Sequence, residues 1–175
     1  MNYRTKTYLA AAWDEDHDAI EQLYSWNAND FYSLEFRNVH DFKQSRDNSL
    51  PCSIKDSLSK RMDMCKLFIL IVGESTNRVT KGYCKHCRNF RAWSNYCSSL
   101  KLQGSKSFID FECDRAKRDY NDGKIKILVL YNSSYVYKER CPESLRSIGI
   151  HQAMKTSGSF DYQKVKNAFL AAQLG

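Results

Sequence analysis

The sequence predicts an α/β domain in which helices flank a parallel sheet. Three observations carry that expectation. Apolar runs of strand length alternate along the chain with stretches whose apolar residues recur at helical spacing, the order expected when helices cover both faces of a parallel sheet. Leu67 to Val72 is apolar on both faces, as in a buried central strand. Ser107 to Tyr131 reads as a capped helix that stops at Gly123 and runs into a β-branched strand.

Tyr8 to Trp13 is the first strand, followed at once by Asp14, Glu15 and Asp16. A helix then carries Ile20, Leu23, Tyr24 and Asn27 along one face, and acids at its start suit the helix dipole. Asp14 is its cap or lines a ligand crevice at the carboxyl end of the strand. Ser33 to Val39 alternates apolar and polar residues, as a strand nearer an edge does. His40, Asp41 and Phe42 end it, and Lys43 to Pro51 is a polar loop. From Ser53 a helix places Ile54, Leu58 and Met62 on its core face. Leu67 to Val72 follows, with Gly73 to Asn77 as the loop at its carboxyl end. In the helix after Ser107, Ile109, Cys113 and Ala116 share a face, and Ile125 to Tyr131 is the next strand. Asn132 to Gly149 is polar and broken by Pro142, Ile150 to Met154 is a short edge strand, and Asp161 caps a last helix bearing Tyr162, Val165, Phe169 and Ala172.

The chain of 175 residues is long enough for one domain with a real core, and residues 1–175 are read as a single unit. Its longest clean apolar run is too short to span a bilayer, and the N-terminus lacks the apolar centre of a signal peptide. A cytoplasmic protein without a membrane partner is expected. Seven cysteines, an odd number, fit reduced thiols better than a secreted disulfide framework. The net charge of +7 sits in one place: residues 78–106 carry seven basic side chains and no acid, and the rest of the chain is neutral. Any argument for an anionic partner belongs to that segment.

Within it, Cys84-x-x-Cys87 has metal-ligand spacing, and Cys97 offers a third thiolate. No fourth ligand is evident in the sequence, and His86 adjoins Cys87 too closely for easy joint chelation. The expectation is therefore reduced cysteines packed under aromatic residues, with no bound metal and no cofactor. Glu112 stands in the second turn of the helix after Ser107, near Phe108 and Arg115. A carboxylate beside aromatics loses hydration, one route to a reactive carboxyl. The ordinary state of a Glu on an amphipathic helix is solvated. Neither the dinucleotide fingerprint nor the phosphate-loop pattern occurs.

Laid out in this order, the chain resembles TIR domains, most closely the B-subunit TIR-like branch of bacterial Thoeris anti-phage systems. The resemblance rests on five pieces: Leu-Ala-Ala-Ala-Trp-Asp-Glu-Asp; Val-His-Asp before the polar loop; Cys-Lys-Leu-Phe-Ile-Leu-Ile-Val-Gly-Glu-Ser-Thr-Asn; Phe-Ile-Asp-Phe-Glu-Cys; and Ile-Lys-Ile-Leu-Val-Leu-Tyr. It covers about residues 8–131. It implies a flavodoxin-like TIR fold, here with a basic, Cys- and aromatic-rich insertion over about 78–106 that departs from the family pattern. It also implies cleavage of the nicotinamide–ribose bond of NAD as substrate, giving ADP-ribose or a cyclic isomer that serves as a second messenger in antiviral defence. Glu112 takes the position of the catalytic glutamate. Trp13 and Asp14 take the substrate-facing first loop, His40 and Asp41 precede the loop over the site, and Ser75 and Asn77 lie at the third strand's exit. Homo-oligomers, a downstream effector activated by the product and a phage-derived trigger are the implied partners. Alternative readings are a non-catalytic TIR adaptor, a module that binds nucleic acid through the basic insertion, which otherwise serves as a solvated lid or dimer surface, and, more remotely, an enzyme like the nucleoside deoxyribosyltransferases.

Overall fold

The computed structural model describes residues 4–32, 34–39, 50–84, 87–99 and 101–174. In chain order the elements are β1 (Lys6–Ala10), α1 (His17–Ala28), α2 (Pro51–Met62), β2 (Cys65–Val72), β3 (Phe90–Arg91), β4 (Tyr96–Cys97), β5 (Leu102–Gln103), α3 (Phe108–Asn121), β6 (Lys126–Tyr131), β7 (Ile150–Ala153), β8 (Lys155–Thr156), β9 (Ser159–Phe160) and α4 (Tyr162–Leu174). The main sheet runs β1-β2-β6-β7, and every pairing in it is parallel. The expected α/β class with a flanked parallel sheet is what the chain adopts.

Alternation along the strands builds two cores. Leu9, Ile69, Ile71, Leu128 and Leu130 face one way, against Ile20 and Leu23 of α1 and Val165 and Phe169 of α4. Tyr8, Phe68, Leu70, Ile127 and Val129 face the other, against Leu58 and Met62 of α2 and Ile109, Cys113 and Ala116 of α3. β2 and β6 are buried on both faces, which explains their unbroken apolar sequences.

Two strand expectations need correction. The first strand ends at Ala10, not Trp13, because Glu15 and Asp16 both donate backbone N–H groups to the Ala12 carbonyl at 2.9 Å and the chain turns there. The segment expected as a strand over Ser33 to Val39 makes a single parallel bridge, between Thr7 and Asn38 (Ser33 itself lies outside the described residues). Glu35 holds φ at 54°, a left-handed conformation that interrupts an extended run. Thr7 still donates to the Arg37 carbonyl at 2.8 Å and accepts from Val39 at 3.0 Å, so 34–39 lies along the outer side of β1. The spatial order is then 34–39, β1, β2, β6, β7.

The helix α3 forms as its sequence implies. The Ser107 hydroxyl accepts from the Asp110 N–H at 3.0 Å, and the Asp110 carboxylate accepts from the Ser107 N–H at 3.3 Å, a reciprocal capping box. Gly123, at φ +67°, ends it with an N–H bond to the Tyr120 carbonyl. At the sheet's other end Asp119 is buried between Arg4 (2.9 Å) and Arg115 (3.2 Å). Burial would raise its carboxyl, but these two guanidinium partners outweigh that and hold it below the usual range.

The described residues of 78–106 contain structure that the sequence did not announce. β3, β4 and β5 form a small antiparallel sheet of two-residue strands. A second unexpected feature is the β8–β9 hairpin, closed by Ser157 and Gly158, both at positive φ, as a two-residue hairpin turn requires. Among the described residues no helix is long and apolar enough to cross a membrane.

Candidate functional site

A parallel sheet binds ligands in the crevice beyond its strands' carboxyl ends, at the point where strand order reverses. Here the chain passes from β1 outward to 34–39 and then back across β1 to β2, so the reversal lies between β1 and β2. A cleft of about 810 Å³ opens at that point. Glu15 and Asp16 reach it from the β1 exit, Gly73, Ser75 and Arg78 from the β2 exit, and Asn132 and Arg140 from beyond β6.

Asp16 is the buried acid of this cleft. Its Oδ1 accepts from Asn132 Nδ2 at 3.2 Å, and the same amide donates to Asp18 Oδ1 at 2.8 Å. Asp16 Oδ2 and Asn132 Oδ1 are buried with no hydrogen-bond partner among the described residues. Burial pushes the Asp16 carboxyl up to about 6; the Asn132 bond opposes the shift, and the Glu15 and Asp18 charges add to it. Gly73 is required beside it: a Cβ at this position would collide with the Asp16 carboxyl, and the Gly73 N–H donates to Thr76 Oγ1 at 2.8 Å. Ser75 Oγ donates to the Glu15 carboxylate across the cleft. Two guanidinium groups and two unpartnered acceptors suit a ligand that carries both anionic groups and hydroxyls.

Glu112 lies on the opposite face of the sheet. It is 5% exposed, and the wholly buried Tyr8 hydroxyl donates to its Oε1. The ordinary solvated state expected for a helix-surface Glu is therefore corrected: α3 turns Glu112 into the core layer. Burial and the neighbouring Glu112 charge push the Tyr8 phenol well above its usual range, so it remains a proton donor to the carboxylate. Arg115, the expected cationic neighbour, is committed elsewhere, to Asp63 at 2.5 Å and Asp119 at 3.2 Å.

A chain of contacts ties the start of α3 to the exit of β1. Lys81 Nζ stands 3.7 Å from Asp14 Oδ2, and the Lys81 carbonyl accepts from the Phe108 N–H at 2.9 Å. Glu112 is one turn further along α3. Asp14 is exposed and does not cap α1; Asp16 holds the cap position, without a side-chain capping bond. Trp13 is partly buried and packs against the core layer under α1 and α4. Ser75 lines the cleft, whereas the Asn77 amide donates to the Glu139 carbonyl at 2.6 Å just outside its lining. His40 and Asp41 lie outside the described residues. Glu112 is not part of the cleft's lining.

Sequence reasoning missed Asp16 and Asn132. Asp16 was the third acid of a run whose first member drew attention, and Asn132 follows directly on the last residue of β6. It missed Cys52 as well: this first-turn residue of α2 joins Cys84, Cys87 and Cys97 in one buried cluster, with Phe90 packed against it. Among the described residues, no three His, Cys, Asp or Glu side chains form a ready-made cage for a metal ion.

Compared with known families and curated proteins, the chain matches no family model and no curated relative.

Proposed function

We propose that this is a TIR-like domain that cleaves the nicotinamide–ribose bond of NAD, with Glu112 as the catalytic carboxylate. The observation that carries this reading is the burial of Glu112 against the Tyr8 hydroxyl, one helical turn from the rim where α3 meets the exit of β1. Nicotinamide leaves a pyridinium as a neutral molecule, so the departing group needs little acid help. The ribose left behind resembles an oxocarbenium ion, and a carboxylate held out of water stabilises it strongly. Arg78 and Arg140 at the switch-point cleft suit a pyrophosphate, and in this reading the bound dinucleotide extends from that cleft past the β1 exit to bring its nicotinamide ribose to Glu112. Capture of the cation by water gives ADP-ribose, and capture by the substrate's own atoms gives a cyclic isomer. In this reading the domain works as a homo-oligomer in anti-phage signalling, and its product activates a downstream effector after a phage-derived trigger.

The test is nicotinamide release from NAD, with chromatography of the products, in cells carrying the protein with and without phage. Glu112→Gln is expected to lower release by about 100-fold or more. Tyr8→Phe, which deletes one hydrogen bond to a charged group, is expected to lower it roughly tenfold. Wild-type turnover by a folded Glu112→Gln protein would overturn the assignment.

A second reading has its own observation. Trp93 is 84% exposed on the insertion, and Arg88, Arg91 and Lys101 of the same segment are also exposed. Exposed aromatic and basic side chains together suit stacking on, and charge pairing with, single-stranded nucleic acid. Binding of single-stranded RNA that weakens steeply with salt, without NAD turnover, would favour it.

A further inference from the structure

We infer that Cys52, Cys84, Cys87 and Cys97 form a structural tetrathiolate zinc site that fastens the insertion to helix α2. The four residues come from three separate places, the first turn of α2, the turn before β3 and the strand β4, yet all four are buried in one cluster. The Cys87 sulfur lies 3.7 Å from that of Cys52 and 3.7 Å from that of Cys97. A tetrahedral zinc ion with Zn–S bonds of about 2.3 Å places its sulfurs about 3.8 Å apart. Two edges of the tetrahedron therefore already have the required length. Cys84 contacts Cys97 through its side chain, and rotation of thiols already in one cluster closes the remaining edges. The expectation of metal-free packed thiols rested on the lack of a fourth ligand, and Cys52 is that ligand.

Two further observations agree. Lys55, one turn after Cys52, is 1% exposed and makes no ion pair with a described carboxylate. Its ammonium donates to the Lys106 carbonyl at 2.5 Å and lies 6.0 Å from the Phe108 ring. Four thiolates around a divalent ion carry two net negative charges, which gives this buried cation a counter-charge. Among its described residues the insertion has little apolar packing of its own. Its strands are two residues long, and its buried cluster consists of sulfur with one partly buried aromatic. Units this small hold together through disulfides or a metal, and all seven cysteines are free thiols. As zinc binds, each thiol gives its proton to solvent and its sulfur lone pair to the metal, with no change of oxidation state.

The experiment is metal analysis of the full chain, purified without added metal and without immobilised nickel. About one zinc per chain is expected. Cys52→Ser and Cys97→Ser are expected to lower that content about tenfold or more, and Cys65→Ala, outside the cluster, to leave it unchanged. Because a cluster variant can fail to fold, the wild-type protein is also exchanged with cobalt(II). Four thiolates give sulfur-to-cobalt charge transfer in the near ultraviolet and intense tetrahedral bands in the visible. Wild-type protein without zinc and without that cobalt spectrum would overturn the inference. So would full zinc retention in Cys52→Ser.

Discussion

Phe68 of β2 and Phe90 of β3 are the aromatic side chains around which their two sheets pack, and they sit in very different surroundings. Phe68 is wholly buried, stacks on Tyr8 with ring centroids 5.7 Å apart, and lies within a continuous apolar layer. Phe90 is only partly buried and packs against four sulfurs. The main sheet is stabilised by apolar area spread over many side chains, as in most domains of this size. The described residues of 78–106 have a buried cluster of four cysteines shared with α2, beside the short β3-β4-β5 ladders. Loss of a wholly buried ring in the first region costs more than loss of a partly buried ring in the second.

The comparison can be broken by mutation. Phe68→Ala is expected to cost about 3–5 kcal/mol of global stability, read from a denaturant midpoint, because it opens a cavity in a layer that cannot collapse. Phe90→Ala is expected to cost the main sheet less than about 1 kcal/mol. Equal losses for the two would show that sheet and insertion unfold as one cooperative unit. A smaller effect tests the cleft. Asp16 has its folded-state carboxyl raised to about 6 from an ordinary 3.8. Such a group favours the folded state fully below about pH 4, and that contribution is lost as pH rises through about 6. Asp16→Asn is therefore expected to stabilise the protein at pH 7 by about 1–2 kcal/mol, with the gain shrinking as pH falls from 7 and gone below about pH 4. A gain that does not change with pH would show that the folded state does not raise the Asp16 carboxyl. The smallest effect on stability belongs to Trp93→Ala, within about 0.5 kcal/mol of wild type. If the insertion binds single-stranded RNA, the same change weakens that binding by about 1–3 kcal/mol.

Much of the fold was legible because the main sheet obeys periodicity. Leu67 to Val72 reads as a two-sided strand and is one. Ser107, Asp110 and Gly123 mark the ends of α3 by chemistry that acts within a few residues. The misreadings share a cause: they depend on partners distant in sequence. Nothing near Trp13 says that β1 stops at Ala10. Nothing near Glu35 says that its backbone turns left-handed and reduces 34–39 to a single bridge. The Ser157-Gly158 turn did have a local signal, but two-residue strands are too short to show alternation. For the candidate site, Glu112 was singled out from its helix, whereas its Tyr8 partner, 104 positions away, was invisible. Asp16 and Asn132 meet across 116 positions, and Cys52 and Cys87 across 35. Charge and spacing find a residue, and only the fold finds its neighbour.

Residues 84 and 104 lie at a narrow neck between β2 and α3. The Cys84 N–H donates to the Gly104 carbonyl at 2.8 Å, and just outside it the Phe108 N–H donates to the Lys81 carbonyl at 2.9 Å. The two ends of residues 84–104 are thus held together as in one tight turn, and the Cys52–Cys87 contact at 3.7 Å adds a tie to α2. The entropy of closing such a segment grows only slowly with its length. The segment has the geometry of an interchangeable cassette. Its length can change without a change of register in β2 or α3.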